Sequence, residues 1–332
     1  MPVQEYKHQL FVAIQELLWR QWCELGIPGQ ISTGKNSETV LDPEALLLFS
    51  AKFARYDQRL YDLILEWMGV HSCQINIQRL RALHAKAECK DTQSLGYIAA
   101  VAAESEPSRW KKPAKDYSAN CSDSAVALFR SQDDEPESFI PTCDSLAILY
   151  GLERNVRLKL GKIPSDIPES TSSLLFRMRS IMGITARAET ILFMLTNNCC
   201  KVQDIVERSG YTWKSIQDVL QELASGYFVS SINGANRGRQ YYLLQPERIR
   251  QLFGIRKIAF PNWLDIYDSI GFLWETLSNP NMEKVSEETF QNELKTLYEN
   301  KIQKRFLMSG HPAIIKQAID IAVLPKTIRE VV

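Results

Sequence analysis

No stretch of about 18 uncharged apolar residues occurs in this chain, which removes a transmembrane helix from consideration. Its opening, MPVQEYKHQ, has neither the basic nor the apolar region of a signal peptide. A cytoplasmic protein away from the membrane is therefore expected. The seven cysteines, Cys23, Cys73, Cys89, Cys121, Cys143, Cys199 and Cys200, form no CxxC pair, and their odd number argues against a disulfide framework. The four histidines, His8, His71, His84 and His311, also lack ligand spacing, so no metal site is expected. The Walker, GxGxxG, HExxH and GxSxG motifs are missing, and so is the Gly-Ser…Asp-x-Asp pattern of nucleotidyltransferases. Neither catalysis nor a cofactor is expected. Net charge is absent as well: 39 Lys and Arg balance 39 Asp and Glu, so any nucleic-acid surface must come from local charge.

What is present is the balance of an ordinary globular protein, 45% apolar and 23% charged over 332 residues, long enough for two or three domains. The expected fold class is mainly α. Helical periodicity covers residues 3–25, 43–55, 58–69, 77–86 and 93–103, with Asp42-Pro43, Asp57 and Asn76 placed as N-terminal caps. This is an N-terminal helical domain, 1–103. Composition then shifts to Pro, Ser, Lys and Asp, giving a linker and helical connection over 104–169 in which 139–152 reads as helix and 155–160 as a short strand. Helical patterns return at 261–277, 287–300 and 313–323, in a C-terminal segment, 255–332, suited to dimerisation.

The informative region is 170–254. Residues 186–196 form an apolar-faced helix ended by Asn197-Asn198, and a short helix over 202–208 runs into Ser209-Gly210, where glycine accepts the positive φ of a tight turn. Thr212 can cap a second helix in which Ile216, Val219, Leu220 and Leu223 fall at i, i+3, i+4 and i+7, so that one face is buried. The opposite face presents Trp213, Lys214, Ser215, Gln217, Asp218 and Gln221. Residues 228–232 and 240–244 then read as strands, joined by a loop bearing Asn236, Arg237 and Arg239 around Gly238. Between Lys201 and Lys257, nine Lys and Arg stand against five Asp and Glu, a local net charge of +4.

That order of elements is the order of a winged helix-turn-helix, whose second helix enters the major groove of double-stranded DNA. Glutamine pairs bidentately with adenine, Lys214 reaches a phosphate or a guanine edge, and arginines on a glycine-bearing wing meet phosphates or a narrow minor groove. The candidate DNA-binding residues are Thr212, Trp213, Lys214, Ser215, Gln217, Gln221, Asn236, Arg237 and Arg239. Other features have plainer readings. Asp133, Asp134, Glu135 and Glu137 are expected as a solvated loop, Cys199 and Cys200 as inert thiols, and His71 and His84 as surface or satisfied core histidines.

The run Gly183-Ile184-Thr185-Ala186-Arg187-Ala188-Glu189 and the later Ile205-Val206-Glu207-Arg208-Ser209-Gly210-Tyr211 resemble bacterial winged-helix regulators of MarR-like type. They are similar in particular to regulators encoded beside nucleotidyltransferase genes, including abortive-infection antitoxins. Asp42-Pro43-Glu44-Ala45-Leu46-Leu47-Leu48-Phe49, with Arg55-Tyr56-Asp57, resembles the helical N-terminal part of the same regulators. The resemblance implies a transcriptional repressor, autoregulating an antitoxin or defence operon and binding its operator as a homodimer. Those antitoxins carry the winged helix at the N-terminus, whereas here it lies in the second half. The alternative reading is a protein-interaction scaffold or antitoxin whose helical domains bind a partner such as a toxin.

Overall fold

The computed structural model describes residues 2–29, 38–118, 125–133, 135–136, 143–161, 163–233, 238–255, 257–282, 285–316 and 321–329. The architecture is mainly helical. Helix α1 (Val3–Glu24) buries Leu10, Ile14, Leu17, Leu18 and Trp22 along one stripe. Helix α2 (Pro43–Phe53) starts where the Asp42 carboxylate accepts the Ala45 N–H at 3.1 Å, and Pro43 occupies the first turn, where a missing N–H costs nothing. Its run of leucines is apolar all round, and it is accordingly enclosed on nearly every side. Asp57 caps α3 (Gln58–His71), Asn76 caps α4 (Ile77–Lys86) and Asp91 caps α5 (Thr92–Ser105).

The stretch expected as a linker opens with another helix, α6 (Pro107–Ser118), which docks on α5 through Trp110, Pro113, Ala114 and Tyr117. Its many lysines obscure four core residues at helical spacing. A parallel pair, β1 (Val126–Ala127) and β2 (Leu152–Glu153), follows, with the short helix α7 (Ser145–Ile148) between them. The helix expected over 139–152 thus shrinks to four residues within the described part, residues 139–142 lying outside it. The strand expected over 155–160 does not form. Its backbone is held by carboxylates of α3 instead: Asp62 accepts the Leu158 N–H at 3.1 Å, and Glu66 accepts those of Leu160 and Gly161.

Next come α8 (Leu174–Met182), α9 (Ala186–Thr196), α10 (Val202–Ser209) and α11 (Trp213–Ser225), then an antiparallel hairpin, β3 (Val229–Asn233) and β4 (Arg239–Leu243), and α12 (Pro246–Leu252). These elements share one hydrophobic core, built from residues such as Leu175, Leu192, Ile205, Ile216, Leu220 and Leu243. The chain ends in α13 (Trp263–Leu277), α14 (Glu287–Leu297), α15 (Gln303–Ser309), α16 (Pro312–Lys316) and α17 (Leu324–Arg329).

Much of the apolar surface of this last group is covered within the chain, while Leu307, Met308 and Val323 stay exposed. Helix α13 packs on α1 and α2, with Tyr267 stacked on Phe49 at 4.4 Å and its hydroxyl donating to Gln21 at 2.8 Å. Helix α17 packs on α1, and the Tyr6 hydroxyl bonds the Ile321 carbonyl at 2.8 Å. The N-terminal and C-terminal helices therefore complete a single core. The segment expected to dimerise contributes to that core.

The two cores meet at a buried charge network. Glu44 on α2 receives hydrogen bonds from Arg79 of α4, from Arg179 of α8 at 2.7 Å, and from the Asn76 N–H at 2.6 Å. Arg79 also pairs with Asp42 and donates to the Ser209 carbonyl at 2.7 Å, while Arg179 pairs with Glu189 of α9. Burial works against the Arg179 charge, but the carboxylates of Glu44 and Glu189 outweigh it and raise its pKa above the ordinary arginine range. The same cations hold the Glu44 carboxyl below its usual range although it is wholly enclosed.

Candidate nucleic-acid interface

Helix α10 ends in Ser209-Gly210, and Gly210 adopts φ +77°, a left-handed conformation open to glycine without strain. A side chain there would also meet Leu83 of α4 at 2.9 Å. The chain turns and starts α11, where the Thr212 hydroxyl accepts the Ser215 N–H at 3.2 Å. Thr212→Ala is expected to cost about 1 kcal/mol of stability, the usual value of such a cap, read from a urea denaturation curve. Ile216, Val219, Leu220 and Leu223 face the core, as their spacing predicts.

The outward surface of α11 is only partly as the sequence suggests. Thr212, Trp213, Lys214, Asp218 and Gln221 are exposed, Trp213 at 55%. Among the described residues Lys214 has no carboxylate partner. Ser215 is half-buried, its hydroxyl 2.8 Å from that of Thr212, and it lines a cleft of about 630 Å³ whose opposite wall includes Ile77, Gln78 and Arg109. Gln217 is half-buried too, its amide 3.4 Å from the Tyr241 hydroxyl, so it leans on the hairpin while Gln221 stands free in solvent. Sequence spacing put these two glutamines on one face one turn apart; the proximity of β4 separates their roles.

The hairpin is docked beside α11 by a short ladder. The Cys200 N–H donates to the Tyr241 carbonyl at 3.0 Å, and the Tyr241 N–H donates back to the Cys200 carbonyl at 2.8 Å, so the segment between α9 and α10 forms a third line of pairing along β4. Burial, with Asp204 nearby, pushes the Cys200 thiol up to about 12, which keeps it an inert thiol. Arg239 is exposed at the start of β4. Asn236 and Arg237 lie outside the described residues. Lys201, not among the residues singled out from the sequence, lies beside the loop end of the hairpin: its Cε is 3.4 Å from where a side chain on Gly238 would begin. Only the pairing of residue 200 with residue 241 reveals it.

The local net charge of +4 is not all available to a ligand. Arg208 turns inward, donating to the carbonyls of Ser309 at 2.6 Å and Phe260 at 3.2 Å, with burial depressing its pKa. Arg250 donates to the Leu195 carbonyl at 2.6 Å, and Lys257 pairs with Glu38 at 2.9 Å. Lys201, Lys214, Arg239 and Arg248 are exposed, as is Lys257 beside Glu38. Among the described residues no cluster of three His, Cys, Asp or Glu is placed to hold a metal ion, and no helix is long and apolar enough to cross a membrane.

No protein-family model, curated protein or solved structure matches the chain.

Proposed function

We propose that this protein is a sequence-specific double-stranded DNA-binding regulator, a repressor acting through a winged helix-turn-helix formed by α9, α10, α11 and the β3–β4 hairpin. One observation carries the reading. The N-terminal end of α11 projects Trp213 and Lys214 into solvent, the loop end of the adjoining hairpin offers Arg239 with Lys201 nearby, and all four residues are exposed. A helix end of this kind, flanked by cations, fits a major groove and its bordering phosphates. Gln221 and Asp218 are the groups suited to base edges, accepting or donating along the groove, and Lys201, Lys214 and Arg239 are suited to phosphates.

The first test is a gel shift of the full chain on its own upstream DNA against random DNA of equal length, at two salt concentrations. Preferential, salt-sensitive binding to the upstream fragment supports a regulator and its autoregulation; failure to bind either fragment removes the proposal. Gln221→Ala is expected to reduce discrimination between the two fragments by about 1–3 kcal/mol while leaving the salt slope unchanged. Equal loss on both fragments would transfer Gln221 to backbone contact. A two-fold symmetric operator, bound by two copies, is the arrangement that such modules use, and analytical ultracentrifugation with and without DNA reports the stoichiometry.

A second reading, a protein-binding module, rests on the hairpin's outer face. Phe228, Ile232 and Leu244 are exposed there, beside Tyr227, which is 85% exposed and held at φ +60°. A toxin partner on this apolar face would bind without salt dependence, which separates it from the DNA reading.

A further inference from the structure

The chain also contains a cavity far from α11 in character and composition. It measures about 240 Å³ and lies where α2, the turn Ala54–Tyr56, the start of α5 and the end of α13 converge. Lys52, Arg55, Lys90 and Arg130 line it, against only two carboxylates, Asp91 and Glu275. Those two carboxylates are already engaged, Asp91 by Arg55 and Glu275 by Lys52. Among the described residues Lys90 has only the neutral His84 carbonyl, at 3.1 Å, as its hydrogen-bond partner. The wall therefore holds, in Lys90, a cation that no described carboxylate neutralises.

The wall is also rigid. Arg55 is clamped by the Leu128 carbonyl at 2.7 Å and the Ala127 carbonyl at 2.8 Å, so its guanidinium is oriented before any ligand arrives. Trp274, nearly fully buried, forms an aromatic side of the cavity with Tyr56, to whose hydroxyl its indole N–H donates at 3.3 Å. At the far end the Ser278 hydroxyl is shielded from solvent and has no hydrogen-bond partner among the described residues. A shielded hydroxyl without a partner is costly, and a ligand oxygen would satisfy it.

The geometry points to this cavity as a binding site for a small oxyanion, a phosphate or a carboxylate, carrying at most one ring. Charge selects the anion, Trp274 and Tyr56 close one side of the cavity, and Ser278 supplies a neutral donor. The volume sets the upper size, since it equals that of roughly eight waters at about 30 Å³ each. This site stands independently of the DNA reading.

The test is calorimetric titration of the full chain with sodium phosphate and, separately, with sodium benzoate, against sodium chloride at matched ionic strength, with tryptophan emission followed in parallel. Saturable one-to-one binding of at least one anion is expected, weakened at least tenfold in Lys90→Gln and also weakened in Ser278→Ala. Lys90 is exposed and its replacement leaves the core intact, so lost binding there is not lost folding. Binding of phosphate alone assigns a phosphate site; binding of benzoate alone assigns a ring-bearing carboxylate. Absence of binding beyond chloride, or affinity unchanged in Lys90→Gln, overturns the assignment.

Discussion

Arg179→Ala is expected to lower the unfolding free energy by about 3–5 kcal/mol, a large part of the roughly 5–15 kcal/mol that holds a typical domain together. The substitution removes the cation that faces Glu44 and Glu189 at once, and both carboxylates are fully enclosed. It also strands the Gln74 carbonyl, which Arg179 caps at 2.8 Å. Arg79 remains to neutralise Glu44, but among the described residues no other group hydrogen-bonds Glu189, one of whose oxygens already lacks a partner. Urea denaturation measures the loss directly. Replacing both partners, Arg179→Met with Glu189→Leu, is expected to cost less than the single change, because no uncompensated charge is left behind. A double variant as unstable as Arg179→Ala would show that shape, not charge, makes this position matter.

The same network carries a structural consequence. Glu44 and Asp42 belong to the first core, Arg179 and Glu189 to the second, and Asn76 adds hydrogen bonds to the Tyr211 hydroxyl at 2.7 Å and the Ile184 carbonyl at 3.3 Å. Phe176 of α8 packs on Trp67 across this seam, and directional polar bonds fix how α10 and α11 sit against α4. In Arg179→Ala, limited proteolysis is therefore expected to cut first between the cores, in 160–172.

The second large effect concerns nucleic acid. Combining Lys214→Ala with Arg239→Ala is expected to weaken binding to specific and random DNA by similar factors, on the order of tenfold to a hundredfold near 0.1 M salt. The slope of log affinity against log salt should become shallower by about 1.8, since each phosphate contact on duplex DNA contributes about 0.9. Both side chains are exposed and free of carboxylate partners among the described residues, so stability should not change. An unchanged slope would mean that neither residue touches phosphate and that α11 is not the contact helix. Gel shifts at four or five salt concentrations decide the matter.

Much of the local structure was legible in the amino-acid order. The caps Asp42, Asp57, Asn76 and Thr212 mark helix starts because a short polar side chain there satisfies an N–H that the helix itself cannot. Ile216, Val219, Leu220 and Leu223 declare the buried face of α11, and Gly210 its preceding turn, because both depend on neighbours within a turn or two. Helices α6, α8 and α12 were not legible. The first is masked by lysines and an internal proline, and the other two are short and depend on the core they join, so periodicity over so few residues carries little signal.

Tertiary structure alone decided three things. It placed α13 against α1 and α2, and α17 against α1, about 220 to 315 residues distant in the chain, since an apolar stripe states that it must be covered but not by what. It turned Arg208 and Arg250 onto backbone carbonyls and left Lys201, Lys214 and Arg239 exposed, because a charge count cannot distinguish a cation aimed at solvent from one capping a carbonyl. And it gathered Lys52, Arg55, Lys90, Arg130 and Trp274 around one cavity, from four separate segments whose convergence no local pattern encodes. Short-range hydrogen bonding and side-chain period are properties of the sequence itself; the company that a buried charge or an aromatic ring keeps is a property of the packed chain.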